Sequence, residues 1–183
     1  CNLGPRFRLG MPMVLHRHIL LLSSLMLLSC TSLPQRDDTL KIPGSDDAAA
    51  ESALESFLRD LGMPVEAGSD GLSVFVYRRG MATLLAPITR SGGLDRLMAT
   101  RSYAPAAGRS VEDLQRLSSA LNDQLNVGSF SVESGALIFQ THMTFLDEIS
   151  AAQITAFLDW LDTAELAIVA VDGKRPVLSR SEV

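Results

Sequence analysis

Three segments of the chain repeat apolar residues at three- and four-residue spacing, the period of a helix face, and five shorter runs have the aliphatic richness or alternation of strands. The first helix is predicted over Asp46–Leu61, where Leu54, Phe57, Leu58 and Leu61 share one face. Asp46 or Asp47 can cap it, acids crowd its first half where the helix dipole favours them, and Gly62 with Pro64 two positions on stops it. Ser110 opens the second helix, with Asp113 three residues later close to a capping box and with Val111, Leu114, Leu117, Leu121 and Leu125 as its apolar stripe. In the last helix Ser150 and Gln153 form a capping box, Ile149 and Ile154 are placed as a hydrophobic staple, and Phe157, Leu158, Leu161 and either Ala164 or Glu165 continue the face. Trp160 lies off that stripe, either as a partly exposed anchor or packed by a neighbouring strand; the packed arrangement is the expectation.

Leu72–Arg78, Met81–Thr89 and Leu94–Tyr103 predict three strands, separated by Arg79-Gly80 and by Ser91-Gly92-Gly93. Short gaps with Gly favour antiparallel hairpins, so the three form a meander. Pro87, which lacks an N–H, moves the second run towards a sheet edge or a strand end. Phe130–Glu133 and Ala136–Phe145 make a further hairpin over Ser134-Gly135, and the alternation turns Leu137, Phe139, Thr141, Met143 and Phe145 to the core, Ile138, Gln140, His142 and Thr144 away from it. The expected fold is α+β: a single antiparallel five-stranded sheet (3+2 strands) with three helices, in the order α-β-β-β-α-β-β-α, over residues 46–172. Residues 173–183 form a polar tail that is expected to fray.

Ahead of this domain, Ile19–Leu28 is aliphatic but for Ser23 and Ser24, too short for the roughly 20 residues of a spanning helix. It follows His16-Arg17-His18 and precedes the small residue Ser29, the order of parts in a signal peptide, here residues 1–29 with translation expected to begin at Met11 or Met13. Leu27-Leu28-Ser29-Cys30 resembles the lipobox of bacterial lipoproteins. The resemblance implies a diacylglyceryl group on the Cys30 thiol, cleavage before that residue, and a membrane partner held through the lipid. Each buried methylene contributes roughly 0.8 kcal/mol, so two or three acyl chains anchor where one would not. Thr31 stands where an Asp would resemble an inner-membrane retention signal, which implies the periplasmic face of the outer membrane in a two-membrane bacterium. Residues 30–45, with Pro34, Pro43 and Gly44 and no apolar period, read as the lipidated N-terminus and a flexible tether.

Composition narrows the function classes. The 183 residues are 46% apolar and 20% charged, a folded rather than a disordered composition. Every acid follows Cys30 while Arg6, Arg8 and Arg17 precede it, leaving 13 basic and 21 acidic residues from Cys30 on, net −8, with no broad nucleic-acid footprint. Arginines gather at Arg78, Arg79, Arg90, Arg96, Arg101, Arg109 and Arg116, whereas Leu117–Gly173 holds eight acids and no Lys or Arg. Solvated faces are the expectation, and a dipolar surface for a partner or for self-association is the alternative. Cys1 and Cys30 are the only cysteines, so no disulfide can form within the domain.

Candidate chemistry is sparse. His142, on the polar phase of a strand, is the one histidine after Cys30, which leaves nucleophilic catalysis without an evident base and zinc without a ligand set. Asp159, Asp162 and Glu165 are helically spaced and lack the Gly-turned loop of a calcium site, so they are expected to form a solvated face. No nucleophile-elbow, dinucleotide or phosphate-loop motif occurs. A non-enzymatic protein without cofactor or metal is the expectation.

The run Leu121-Asn122-Asp123-Gln124-Leu125-Asn126-Val127-Gly128-Ser129-Phe130-Ser131-Val132, then Gly135-Ala136-Leu137-Ile138-Phe139, then Ile149–Leu161, resembles the YbjN-type family, whose fold is similar to that of class I type III secretion chaperones. The resemblance spans about Ala48 to Ala170. In it, Asn122 and Asn126 end a helix, Gly128 supplies a positive-φ position and Phe130 enters the core. It implies a one-domain α+β module that commonly pairs and binds protein segments, without catalytic residues. The expected contacts for a protein partner or a homodimer are Ile138, Gln140 and His142 on the exposed sheet phase, and Trp160, engaged by strand addition or groove binding. A carrier or sensor of a small apolar ligand, held between sheet and helices, is the alternative.

Overall fold

Two hairpins set the frame of the main sheet. In the computed structural model, which describes residues 38–42, 47–89, 95–173 and 176–179, the elements in chain order are β1 (Thr39–Lys41), α1 (Asp47–Asp60), β2 (Val65–Ala67), β3 (Val74–Arg78), β4 (Met81–Ile88), β5 (Asp95–Tyr103), α2 (Val111–Gln124), β6 (Ser129–Glu133), β7 (Ala136–Phe145), β8 (Glu148–Ser150) and α3 (Ala151–Asp172). The β3–β4 hairpin turns over Arg79 (φ 49°) and Gly80 (φ 75°), and β6–β7 turns over Ser134 (φ 50°) and Gly135 (φ 79°). Positive φ at both central residues matches the right-handed twist of paired strands.

The expected fold class holds as α+β with three helices and antiparallel pairing, but the expected single five-stranded sheet does not. The main sheet has six strands in the order β2-β3-β4-β5-β7-β6, and β1 and β8 form a second sheet of two. The three additional strands, β1, β2 and β8, are each three residues long, too short to show a period of two in the sequence. They exist because a neighbour supplies the ladder: Val65 pairs with Val76, and Leu40 with Ile149.

Two boundaries move with them. Thr39–Lys41, read as part of a flexible tether, is a strand whose Leu40 is buried, as is Ile42 just beyond it. The tail is also held near its start. The Asp172 carboxylate accepts from the backbone N–H groups of Val177 and Leu178, Ser179 N–H donates to the Ala104 carbonyl, and Leu178 is 6% exposed. Cys30, the signal-like run before it and the Ser91–Gly93 turn lie outside the described residues.

Helix ends follow local chemistry. Ser110 with Asp113 and Ser150 with Gln153 both close complete capping boxes. At the end of α1, Gly62 adopts φ 77°, with Gly62 N–H to Arg59 O and Met63 N–H to Leu58 O, a Schellman ending. Val111, expected in the α2 stripe, is the first residue of the helix and is exposed. Pro87 sits inside the sheet yet at a strand end: β3 pairs with β4 only as far as Leu85, so Ala86–Ile88 run on against β5 alone.

The alternation puts the buried strand residues on one face. Val74 and Val76 of β3, Leu85 of β4, Leu97 and Ala99 of β5, Leu137 and Phe139 of β7 and Phe130 of β6 all join Leu54 and Leu58 of α1, Leu114 and Leu121 of α2, and Ile154, Leu158 and Leu161 of α3 in one core. Phe130 stacks on Phe139 across the β6–β7 pair, ring centroids 4.8 Å apart.

Candidate functional site

The covered face of the sheet also buries charge. Arg101 follows Leu97 and Ala99 on the inward phase of β5 and is 2% exposed. Its Nε donates to Thr83 Oγ1 at 2.9 Å, Nη1 to the Leu161 carbonyl at 3.1 Å, and Nη2 to Asp162 Oδ1 at 2.8 Å. Glu165 Oε2 lies 3.6 Å from Nη1 and accepts the Tyr103 hydroxyl at 2.6 Å. Burial, and secondarily the Glu165 charge, pushes the Tyr103 phenol well above its ordinary value, so Tyr103 stays a donor.

Of the solvated face expected for Asp159, Asp162 and Glu165, only Asp159 is exposed; Glu165 is half-buried and Asp162 is buried. Asp162 is 8% exposed, and its Oδ2, which accepts no hydrogen bond among the described residues, lies 3.6 Å from both Arg78 and Arg79. Arg78 also reaches Asp159 at 2.5 Å. Arginines of the meander thus meet acids of the acidic window, Arg101 and Asp162 inside the fold and Arg79 and Asp159 at its surface. Two signals in the sequence mark this pair: Arg101 on the apolar phase of a strand, and Asp162 beside Leu161 and Leu158 on the apolar stripe of a helix. Opposite charges on two core-facing phases have each other as the economical partner.

Beside the network lies a cavity of about 380 Å³, lined by Arg79, Met81, Tyr103, Glu165, Val169 and Leu178 among others. It opens where the ends of β4 and β5 meet the second half of α3 and the returning segment 176–179.

The opposite face of the sheet carries no helix among the described residues. Phe75, Leu84, Ala86, Met98, Thr100 and Ile138 lie half-buried on it, with Tyr77 and Ile88 exposed. Register aligns Phe75, Leu84, Thr100, Gln140 and Ser129 in one row across five strands, and Ala86, Met98 and His142 in the next. Ile138, Gln140 and His142, the contacts read from the sequence, stand together on this face. Trp160 does not join them. It belongs to α3, on the other side of the sheet, 38% exposed and stacked on Phe157 at 6.0 Å. Trp160 is thus partly exposed, with its ring against Phe157 of its own helix, rather than packed by a strand as expected.

At the β6 edge, the Asn122 side chain accepts from Phe130 N–H at 2.9 Å and donates to Phe130 O at 2.8 Å, and Ser118 Oγ donates to the same carbonyl at 2.8 Å. A carboxamide making both bonds copies the pairing of a neighbouring strand. Asn122 was expected to end its helix; it lies inside α2, which runs to Gln124, and closes the sheet edge instead. Gly128 has the expected positive φ, 156°, and a Cβ there would fall 2.4 Å from the Gln140 carbonyl oxygen. Among the described residues no group of three His, Cys, Asp or Glu side chains could hold a metal ion, and no helix is long and apolar enough to cross a membrane.

The chain is similar to known proteins in two comparisons. A crystal structure of YbjN, "a putative transcription regulator from E. coli", is 12% identical, covering 70% of this chain and 95% of that one, with a TM-score of 0.45. No curated protein matches. Residues 51–168 match the YbjN family, described as "Putative bacterial sensory transduction regulator". That span runs from α1 through most of α3, and the chain belongs to the YbjN family.

Proposed function

We propose that this chain is a non-enzymatic, regulatory interaction module that presents the open face of its six-stranded sheet to another polypeptide. The observation that carries the reading is that half-buried Phe75, Leu84, Met98 and Ile138, in three successive rows, lie among the polar Thr100, Gln140 and His142 on a face without a helix among the described residues. Apolar and aromatic side chains set among polar ones have the polarity of a non-obligate protein interface. Docking against the face accounts for the exposed phase better than strand addition at β6, where Asn122 already occupies the backbone of Phe130.

The lipobox-like Leu27-Leu28-Ser29-Cys30 supports the second half of the proposal: a lipid on Cys30 tethers the module in the cell envelope, at the periplasmic face of the outer membrane where the cell has two. The family description as a sensory transduction regulator fits a module that acts by contact.

Photocrosslinkers placed in the full chain at Met98 and Gln140, with Gln115 of α2 as control, test the reading. Discrete adducts from the first two positions, lost when Leu84→Asp is added, are expected. A second copy of the chain in those adducts identifies a homodimer. Equal labelling at Gln115, or no adduct with a monomeric chain, rejects the interface. Palmitate labelling that persists in Cys30→Ala rejects the tether.

A further inference from the structure

We propose that the cavity beside the buried ion network is a binding site for a free α-amino acid with a large apolar side chain. The volume of about 380 Å³ lies within the range of small-molecule sites. Its walls are mainly apolar, from Met81, the Tyr103 ring, Val169 and Leu178, with Ser102 and Ser179 beside them, and the apolar part sets the body of the ligand.

Two side chains bring unspent polar capacity to it. Glu165 uses Oε2 for both Tyr103 and Arg101, which leaves Oε1 as an acceptor with no hydrogen-bond partner among the described residues. Arg79 reaches only Asp162 Oδ2, at 3.6 Å, beyond hydrogen-bond length, so its guanidinium keeps its donors for a carboxylate. Arg79 sits in the β3–β4 turn at φ 49°, with its side chain largely exposed at the edge of the cavity.

The charged groups of the lining set the ligand class. They are Arg79, Glu165 and Asp172, and Asp172 already spends both carboxylate oxygens on the backbone N–H groups of Val177 and Leu178. A molecule that carries both an ammonium and a carboxylate gives Glu165 and Arg79 a partner each. A simple amine meets Arg79 without a counter-charge, a simple acid meets Glu165, and a hydrocarbon takes water from both without replacing its hydrogen bonds. Tyr103 adds rigidity: its hydroxyl donates to Glu165 and orients the carboxylate, so that the free oxygen is set before a ligand arrives. The site is separate from the open-face interface, and each stands without the other.

Titration of the isotopically labelled full chain with L-phenylalanine, phenethylamine and 3-phenylpropanoate, followed by amide shifts, tests the proposal. Saturable shifts at Tyr103, Glu165 and Val169 are expected with L-phenylalanine, and each analogue lacking one charge should bind about tenfold or more weakly. Arg79→Asn retains a residue suited to the left-handed turn and should abolish the preference over phenethylamine. Glu165→Gln, which can still accept from Tyr103, should abolish the preference over 3-phenylpropanoate. Equal affinity for the three compounds, or no saturable shift at the cavity with L-phenylalanine, overturns the proposal.

Discussion

Each face of the main sheet holds an exception to the usual distribution of polarity. The face covered by helices buries Arg101 at 2% exposure, while the face without a helix among the described residues shows Phe75, Leu84, Met98 and Ile138. On the covered face the charge is neutralised locally: Arg101 has Asp162, Thr83 and the Leu161 carbonyl, and the strand is locked to α3 by directional bonds. On the open face apolar side chains gain only the cover of their neighbours in the sheet. The difference teaches that polarity alone does not locate function. A buried guanidinium whose three nitrogens all find acceptors specifies how a helix docks, whereas half-covered apolar side chains on an open sheet face are what the proposed interface would use.

The sharpest way to break this comparison is Arg101→Met. Removing one partner of a buried pair leaves Asp162 without its guanidinium, and urea denaturation should show a loss of about 3–5 kcal/mol. Arg101→Met combined with Asp162→Leu should recover a large part of it. Met98→Lys on the open face should stay within about 0.5 kcal/mol of the parent, as surface substitutions do. A large loss there would mean that the open face is structural.

Asn122→Ala tests the sheet edge, with a smaller effect. Loss of the paired bonds to Phe130 should cost about 1–2 kcal/mol in the same denaturation experiment. It also exposes backbone groups of β6, so sedimentation should reveal association that grows with concentration and is absent from the parent.

The smallest effect separates the faces through their tyrosines. Tyr77 on the open face is raised by its hydrogen bond to Glu66, and Tyr103 on the covered face chiefly by burial. A raised native pKa means that the folded state keeps a proton the unfolded state loses. This contribution to stability is full below the ordinary tyrosine value of 10.0 and is lost as pH rises above it. In Tyr77→Phe, ultraviolet titration should show Tyr103 ionising only together with unfolding, well above pH 10, and returning to about 10 in denaturant. Ionisation of Tyr103 near pH 10 in the folded protein would show that the network is open to water.

The hairpins, both capping boxes and the outward set Ile138, Gln140 and His142 were legible because each is written in adjacent residues: a turn pair, a cap with its partner three positions on, an alternation of two. The strands β1, β2 and β8 were not, since three residues carry no period and their ladders are supplied from elsewhere, as Leu40 by Ile149. Asn122 reads as a helix terminator because Asn favours helix ends, and only the placement of β6 beside α2 gives it a backbone to bind. The acids of α3 read as a solvated face for the same reason. Helical spacing shows that Asp159, Asp162 and Glu165 are near one another, but not that Arg78, Arg79 and Arg101 lie opposite.

The sequence by itself determined the class of fold, most of the long elements and the phase of each strand, because propensities, caps and periodicity act over a few residues. Tertiary structure decided the number of sheets, the anchoring of Thr39–Lys41 and Leu178, the closure of the β6 edge and the burial of Arg101 against Asp162. Those depend on which distant segments meet, and an interaction between residues 61 positions apart has no local signature until the chain has packed.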